Sequence, residues 1–306
     1  MKADLVCEGG GIRGIALLGA ITALEEAGYT FEKLAGTSAG ALVSSLISVG
    51  YSGKELQDIL FNLDFKYYIR KSRLSLVPIL GESISLFTAK GLFSTNAIEN
   101  LLTSLYQKKG KEKFKDIAIN GESPLKIIAT DITKKQLLIL PDDLIKYNIA
   151  PLEFPIARAV KMSISIPIFF IPEKLKNKEG TSFIVDGGLL SNYPIWLFDT
   201  NSIPKWPTFG LKLLKERQLK VNYAEKYKLT TYLLDIIDSA LSKNEDIYLS
   251  NKDLIRTIYI PTYDVETTDF TLSKESMISL VESGYTSAKK FLQTWNFNNY
   301  LARYRS

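Results

Sequence analysis

The sequence contains no histidine among its 306 residues and a single cysteine, Cys7. Without histidine, every mechanism that uses a Ser-His-Asp or Cys-His arrangement is excluded, together with HExxH zinc sites and C₂H₂ fingers. One cysteine forms no disulfide within the chain, so a disulfide scaffold is excluded as well. Acid–base chemistry therefore has to come from Asp, Glu, Lys, Tyr or Cys side chains.

Long apolar runs and a strong charge bias are also missing. The best candidates for a membrane span, residues 15–24 and 164–171, fall short of the ~18 residues that a transmembrane helix needs. The first residues lack the pattern of a secretory signal, because Lys2 is soon followed by Asp4. A cytoplasmic location is therefore expected, and the lone thiol agrees with it. The net charge of +5 is compatible with an anionic membrane or with nucleic acid and selects neither.

The length and composition are those of a globular protein with a large core. Apolar residues make up 46% of the chain and charged residues 23%, which excludes disorder or a fibre as a description of the whole. No internal repeat or low-complexity tract divides the sequence. We therefore expect a single domain over residues 1–306, with its core motifs at about 3–200 and a C-terminal strand and helices at 208–295 packed on the same core.

The first 50 residues predict two consecutive strand–turn–helix units. Residues 3–7 form a short apolar run, and residues 15–27 carry apolar side chains at helical spacing. The same pattern returns as a strand at 30–35 and a helix at 41–49. Further strands are predicted at 125–131, 137–140, 182–185, 208–214 and 254–260, and helices at 95–106, 155–163, 229–242 and 274–292. Strands that alternate with helices predict an α/β fold with a mostly parallel sheet covered on both faces.

The first cluster that suggests chemistry is the glycine-rich turn from Gly9 to Gly14, which fits G-x-G-x-x-G between a strand and a helix. Such a loop binds the pyrophosphate of a dinucleotide, or it forms an oxyanion hole from its backbone N–H groups. A plain tight turn that needs glycine at positive φ is the third interpretation.

The second cluster is G-x-S-x-G at residues 36–40, again between a strand and a helix. A serine on a sharp strand-to-helix turn needs small neighbours so that the backbone can approach it, and Gly36 and Gly40 supply them. The helix N-terminus behind Ser38 favours developing negative charge. The pattern therefore predicts a nucleophilic serine.

The third cluster is Asp186-Gly187-Gly188, which follows a predicted strand and by itself is typical of a simple Asp-Gly turn. The combination of the three changes this interpretation. A dinucleotide fold places an acidic residue at the end of its second strand, whereas Glu32 lies near the start of that strand. Hydrolysis is therefore favoured, and Ser38 then needs a base. With histidine absent, Asp186 fits that role if it is partly desolvated and lies about 2.6–3.2 Å from the serine oxygen.

With these three motifs in this order, the sequence resembles the patatin-like phospholipases, a family of lipid acyl hydrolases that use a Ser-Asp dyad. The resemblance covers nearly the whole chain. Lesser family patterns are present at residues 90–93, 128–131, 159–167 (with Ser163 and Pro167) and 283–285, and at Asn192 and Pro194. Two departures stand out: Lys161-Met162, where Arg-Ala is frequent, and Ile168, where glycine is frequent.

The resemblance implies a three-layer α/β/α sandwich and a two-step reaction through an acyl-serine. Ser38 is the implied nucleophile, and Asp186 is the implied base that later activates water. The implied oxyanion hole is the glycine loop Gly9, Gly10, Gly11, Ile12, Arg13 and Gly14, with the N–H groups of Gly10, Gly11 and Ile12 as donors and Arg13 as a positioning residue. Implied substrates are membrane phospholipids or lysophospholipids, cleaved as by a phospholipase A or a lysophospholipase. Neither a metal nor a cofactor is expected.

A segment at residues 65–80 suits contact with an anionic membrane surface. It combines aromatic side chains with Lys66, Arg70, Lys71 and Arg73, and it has no acidic residue. A lid or a peripheral membrane contact is one hypothesis for this segment. A solvated loop on a packed aromatic base is the alternative.

Two alternatives to an esterase are carried forward. One is a catalytically idle lipid-binding or regulatory protein on the same fold, against which the intact serine and aspartate argue. The other is a nucleotide-binding protein that uses the glycine loop. No nucleic-acid partner is expected.

Overall fold

The two strand–turn–helix units predicted at the start of the chain are present in the computed structural model. The structure describes residues 1–63, 70–71, 90–215, 249–267, 269 and 271–304, with isolated helical residues at 232, 236–237 and 239–240. β1 (Lys2–Cys7) leads through the glycine turn into α1 (Ile15–Glu26), and β2 (Thr30–Thr37) leads into α2 (Ala39–Ser48). Between the units, Gly28 at φ 86° ends the first helix, as the left-handed C-terminal position requires.

The remaining elements of the described residues follow in chain order. The helices are α3 (Gly53–Phe61), α4 (Asn96–Lys108), α5 (Ile156–Ser163), α6 (Asn251–Ile255), α7 (Lys274–Thr294) and α8 (Phe297–Tyr304). The strands are β3 (Arg70–Lys71), β4 (Gly91–Ser94), β5 (Leu125–Asp131), β6 (Gln136–Leu140), β7 (Ile168–Phe170), β8 (Glu173–Asn177), β9 (Gly180–Asp186), β10 (Thr208–Leu214) and β11 (Thr257–Pro261).

A central sheet runs in the order β11-β10-β1-β2-β5-β9-β8, with β6 also paired to β5. The pairs from β11 to β5 are parallel, and the pairs that β9 makes with β5 and β8 are antiparallel. A small separate sheet joins β3, β4 and β7. Parallel strands need crossover connections, which is why helices alternate with strands in the first half of the chain.

Both faces of the central sheet are covered. Alternate residues of β1 enter different clusters of buried side chains, because successive side chains of a strand point to opposite faces. Leu5 and Cys7 join the main core, and Val6 packs with Tyr193 and Ile195 on the other face. This confirms the predicted α/β class with a mostly parallel sheet between two covering layers.

The long helix α7 packs on α1 so closely that the two backbones are in contact. A Cβ atom added to Gly284 would lie 1.9 Å from the carbonyl oxygen of Ala16, and one added to Gly19 would lie 1.8 Å from that of Val281. Glycine at both positions therefore lets the two helices touch. This contact attaches the C-terminal helix to the first helix of the core.

Replacing Gly284 by alanine is expected to lower the free energy of unfolding by about 2 kcal/mol, since the new methyl group has to push the Ala16 carbonyl away. Denaturant unfolding measures the effect. Glu282→Ala on the same helix is the control, because Glu282 is exposed and its removal should change stability by less than about 0.5 kcal/mol. Equal stability of the two variants would show that the helices are not packed as closely as described.

The strand predicted at 254–260 is wrong at its start. Helix α6 occupies the preceding residues, and β11 begins only at Thr257. Ser250 begins this helix: its N–H and hydroxyl donate to Oδ2 of Asp253 at 3.0 and 2.6 Å. Such a capping arrangement stabilises a first helical turn, and it overrides the β propensity of the apolar residues that follow.

The helix predicted at 229–242 falls mostly outside the described residues. Helical backbone is present at 232, 236–237 and 239–240. Helix α3, which the sequence analysis did not predict, starts with a capping box between Ser52 and Glu55. In the described part of the chain, every helix is too short or too polar to cross a membrane.

Candidate active site

The register of the sheet brings Ser38 and Asp186 to the same point on β5. Thr37, the residue before Ser38, pairs with Ile128, and Asp186 pairs with the next residue, Ala129. Strands β2 and β9 pair with successive parts of β5: β2 pairs with residues 125–128, and β9 pairs with residues 129–131. Two residues 148 positions apart in the sequence therefore follow one another along a single strand.

Ser38 lies on a strained strand-to-helix turn. Its backbone has φ 53° and ψ −121°, a region that residues other than glycine rarely adopt, and its side chain is almost fully buried. A Cβ added to Gly36 would lie 2.3 Å from the Gly40 backbone, and one added to Gly40 would lie 2.2 Å from the Cys7 carbonyl oxygen. Both glycines of the motif are thus required by close backbone approach, as the sequence predicts.

The end of α5 holds both residues in place. The Ser38 N–H donates to Oγ of Ser163 over 2.9 Å, and that hydroxyl donates to the Ile128 carbonyl oxygen over 2.6 Å. Two residues later, the carbonyl oxygen of Ser165 accepts the Asp186 N–H over 2.9 Å. The short segment 163–165 therefore fixes the serine turn and the aspartate relative to each other.

Asp186 is buried and has one carboxylate oxygen available. Its Oδ1 accepts the Gly188 N–H over 2.8 Å, while Oδ2 accepts a hydrogen bond from none of the residues that the structure describes. Asp186 and Ser38 line the same small pocket. A Cβ at Gly187 would lie 2.3 Å from the Ile128 carbonyl oxygen, so this position also needs glycine.

Burial raises the pKa of Asp186 from its ordinary 3.8 to about 7. The nearby Ser38 hydroxyl and the Gly188 N–H each lower the pKa of Asp186 and so offset part of this rise. The Ser38 hydroxyl does so although it does not meet the geometry of a hydrogen bond to Oδ2. A carboxylate with a pKa near neutrality is a much better base than one in water. Catalytic contacts of this kind often shorten only when substrate binds.

Asn192 and Arg13 anchor the glycine loop. The Gly9 N–H donates to the Asn192 carbonyl oxygen, and the Asn192 side-chain amide donates to the Gly9 carbonyl oxygen, both over 3.0 Å. The backbone N–H and Nε of Arg13 donate to the Gly10 carbonyl oxygen over 3.2 and 3.3 Å. Both residues therefore hydrogen-bond to the backbone of the loop.

The N–H groups of the loop are not equally available. The Ile12 N–H donates to the Thr267 carbonyl oxygen over 3.1 Å. The N–H groups of Gly10 and Gly11 donate to none of the described residues. Gly11 adopts φ 54°, and its position beside Thr267 leaves no room for a side chain. The loop therefore presents two adjacent unused donors near Ser38.

A buried ion pair lies directly before the loop. The Lys212 ammonium lies 2.9 Å from Oε1 of Glu8, and Oε2 of Glu8 accepts the Leu213 N–H over 2.5 Å. Burial raises the pKa of Glu8, and Lys212 counteracts part of that rise. Sequence reasoning missed this pair, because Lys212 comes 204 residues later inside an ordinary strand pattern.

An apolar cavity of about 190 Å³ opens beside Ser38. Its walls come from the glycine loop, α1 to α4 and the segment after α5. Among the described residues that line it, Ser38 has the single polar side chain. No local sequence pattern indicates this cavity, because four separate helices each contribute apolar side chains to it.

The two departures from the family pattern have structural explanations. Lys161 is almost buried, and its ammonium lies 2.6 to 2.9 Å from side-chain oxygens of Asn96, Glu99 and Glu173, which joins α5 to α4 and β8. Ile168 adopts φ 69°, which explains why glycine is frequent at this position. A β-branched residue in that conformation costs about 1–3 kcal/mol.

The basic segment is described only in part. Arg70 and Lys71 form β3 and pair with Ser94 and Phe93 of β4. Lys66 and Arg73 lie outside the described residues, so membrane contact stays a prediction. Among the described residues, no group of three or more Cys, Asp and Glu side chains is placed to hold a metal ion.

Sequence comparison identifies relatives over most of the chain. The family model described as Patatin-like phospholipase matches residues 5–199. YqhO of Bacillus subtilis (strain 168), an uncharacterised protein, is 37% identical over 300 residues, which cover 97% of this chain and all of its own. The protein named "Probable lipid hydrolase 463L" from Invertebrate iridescent virus 6 is 30% identical over 194 residues, which cover 62% of this chain and 61% of its own.

Two solved structures share the fold at low sequence identity. VipD from Legionella pneumophila superposes with a TM-score of 0.51 at 20% identity, over 95% of this chain and 67% of VipD. The type III effector ExoU from Pseudomonas aeruginosa superposes with a TM-score of 0.51 at 17% identity, over 95% of this chain and 53% of ExoU. The chain thus spans about half the length of ExoU, and the likeness to both concerns the fold alone.

Proposed function

The chain belongs to the patatin-like phospholipase family, and from this premise we propose that it is a lipid acyl hydrolase with Ser38 as nucleophile and Asp186 as general base. Family membership supports hydrolysis of lipids as the general activity. One observation carries the finer assignment. The unpartnered, buried Oδ2 of Asp186 shares a pocket with a serine held on a strained turn.

In the first step, Asp186 accepts the Ser38 proton while Oγ attacks the ester carbonyl carbon. The negative charge that forms on the carbonyl oxygen is held by the N–H groups of Gly10 and Gly11, with the N-terminus of α2 behind Ser38 adding a favourable dipole. The C–O bond then breaks. The alcohol, a lysolipid or a glycerol fragment, leaves with the proton from Asp186.

In the second step, Asp186 accepts a proton from a water molecule, which attacks the acyl-serine. The same donors stabilise the second tetrahedral intermediate. Ser38 leaves with the proton from Asp186, and the fatty acid is released. The apolar cavity beside Ser38 supports a fatty-acyl group as the part of the substrate that binds there. We propose phospholipids or lysophospholipids as the lipid class.

We also propose that residues 1–306 act as one domain. β10 and β11 extend the central sheet, and α7 packs on α1. From this C-terminal part, Lys212 pairs with Glu8 directly before the glycine loop, and the Thr267 carbonyl oxygen accepts the Ile12 N–H within it. Both residues lie beyond the family match at residues 5–199. The loop geometry therefore depends on residues outside the matched region.

The test is labelling with a fluorophosphonate probe, together with fatty-acid release from long-chain and dioctanoyl phosphatidylcholine. The wild type should be labelled and should release fatty acid, whereas Ser38→Ala should do neither. Ser48→Ala, on the same helix, is the matched control and should behave as the wild type.

Labelling or release that survives in Ser38→Ala would mean that the site is elsewhere. A wild type that binds vesicles without labelling or release would instead favour the idle lipid-binding alternative. Thermal unfolding of each variant shows that a loss of activity does not come from a loss of fold.

A further inference from the structure

The cavity beside Ser38 has a defined direction. Ala39, Leu42 and Leu46 line it from successive turns of α2, which begins at the nucleophile. Leu46 comes seven residues after Ala39, which places it about 10 Å further along the helix axis. An acyl chain attached to Ser38 would therefore extend along α2 toward Leu46.

The far end of the cavity is closed. Leu46, Leu56 and Leu105 line it there and are 5%, 4% and 6% exposed. Tyr51 hydrogen-bonds to two of the residues at this end. Its N–H donates to the Leu46 carbonyl oxygen over 3.1 Å, and its hydroxyl donates to the Leu105 carbonyl oxygen over 2.9 Å. Through these two hydrogen bonds Tyr51 joins the end of α2 to α4.

The volume of the cavity indicates how long an acyl chain it can hold. An apolar cavity of about 150 Å³ holds benzene and stays free of water. The cavity of 190 Å³ is somewhat larger. It therefore takes roughly eight carbons, and the distance of about 10 Å along α2 corresponds to the same length of extended chain.

We propose that this cavity binds the acyl chain of the substrate and that Leu46, at its closed end, sets the preferred chain length at about eight carbons. The inference rests on the proposed function, because it assumes that the acyl group is bound to Ser38. A longer chain meets the side chains of Leu46 and Leu105 before it is fully buried. The site is thus selective for medium-length acyl groups.

The experiment measures kcat/KM for p-nitrophenyl esters with acyl chains of four to sixteen carbons. The wild type should have its maximum near eight carbons. Leu46→Phe shortens the cavity and should lower the ratio of kcat/KM on the eight-carbon ester to that on the four-carbon ester about tenfold. Leu46→Ala should move the maximum to longer chains by about two to four carbons.

Two further variants keep the result interpretable. Leu105→Ala opens the same end wall and should move the maximum in the same direction as Leu46→Ala, even if a Leu46 variant does not fold. Leu24→Ala removes a fully buried leucine of α1 that does not line the cavity, and its chain-length profile should match the wild type.

A chain-length profile unchanged by the Leu46 and Leu105 substitutions would overturn the inference. In that case, Ser38-dependent hydrolysis of the four-carbon ester would show that the proposed function still holds. Absence of Ser38-dependent hydrolysis at every chain length would overturn the proposed function itself. The two failures are therefore distinguishable in one set of measurements.

Discussion

Replacing Asp186 by asparagine is expected to lower kcat about 10³- to 10⁴-fold, because an amide accepts no proton from Ser38. Asparagine has nearly the same shape, and its carbonyl oxygen still accepts the Gly188 N–H that Oδ1 of Asp186 binds. The loss should therefore appear in kcat much more than in KM. Steady-state kinetics on a soluble ester measure it, and a loss below about tenfold would remove Asp186 from the role of base.

The same substitution should change the pH dependence of stability. The pKa of Asp186 is about 7 in the folded protein and close to its ordinary 3.8 in the unfolded chain. The unfolded state then releases this proton at lower pH than the folded state does, so the wild type loses stability as pH rises from about 4 to about 7. A shift of about three units corresponds to roughly 4 kcal/mol.

The quantity to measure is the difference in unfolding free energy between Asp186→Asn and the wild type, taken at pH 4 and again at pH 8. Between pH 4 and pH 8 this difference should shift by roughly 4 kcal/mol in favour of the variant. Any effect of asparagine on packing is the same at both pH values and therefore cancels. Activity of the wild type should rise with pH around a midpoint near 7. A stability difference that is independent of pH would contradict the raised pKa.

Replacing Ser163 by alanine is expected to lower kcat about 10²-fold with KM changed less than about threefold. The substitution removes the oxygen that accepts the Ser38 N–H and the hydroxyl that donates to the Ile128 carbonyl oxygen. The Ser38 N–H is buried and would lose its partner, so the strained turn at Ser38 should relax. A displacement of about 1 Å is enough to produce such a loss of rate.

Ser44→Ala is the matched control for this prediction. Ser44 is also a fully buried serine that donates to a strand carbonyl, that of Ala35, over 2.9 Å. It should cost about 1–3 kcal/mol of stability and leave kcat close to that of the wild type. Ser163→Thr keeps the hydroxyl and should restore much of the rate. Equal kcat in Ser163→Ala and Ser44→Ala would show that Ser163 only stabilises the fold.

Local patterns determined the parts of the fold that depend on neighbouring residues. The strands over 125–131 and 208–214 were predicted with the bounds that the structure has. The glycines at 36 and 40 were predicted as well, because a serine on a sharp turn leaves no room for larger neighbours. The predicted strand start at 254 is wrong because the side-chain cap between Ser250 and Asp253 begins a short helix, which overrides β propensity.

The sequence by itself determined which chemistry is available to this protein. The absence of histidine excluded the common serine-hydrolase base, and three motifs in order singled out Ser38 and Asp186. Only the tertiary structure decided how these residues meet, because the pairing of Thr37 with Ile128 and of Asp186 with Ala129 is a matter of strand register. Register, burial and the closed end of the cavity depend on contacts between distant segments, which no local pattern of residues specifies.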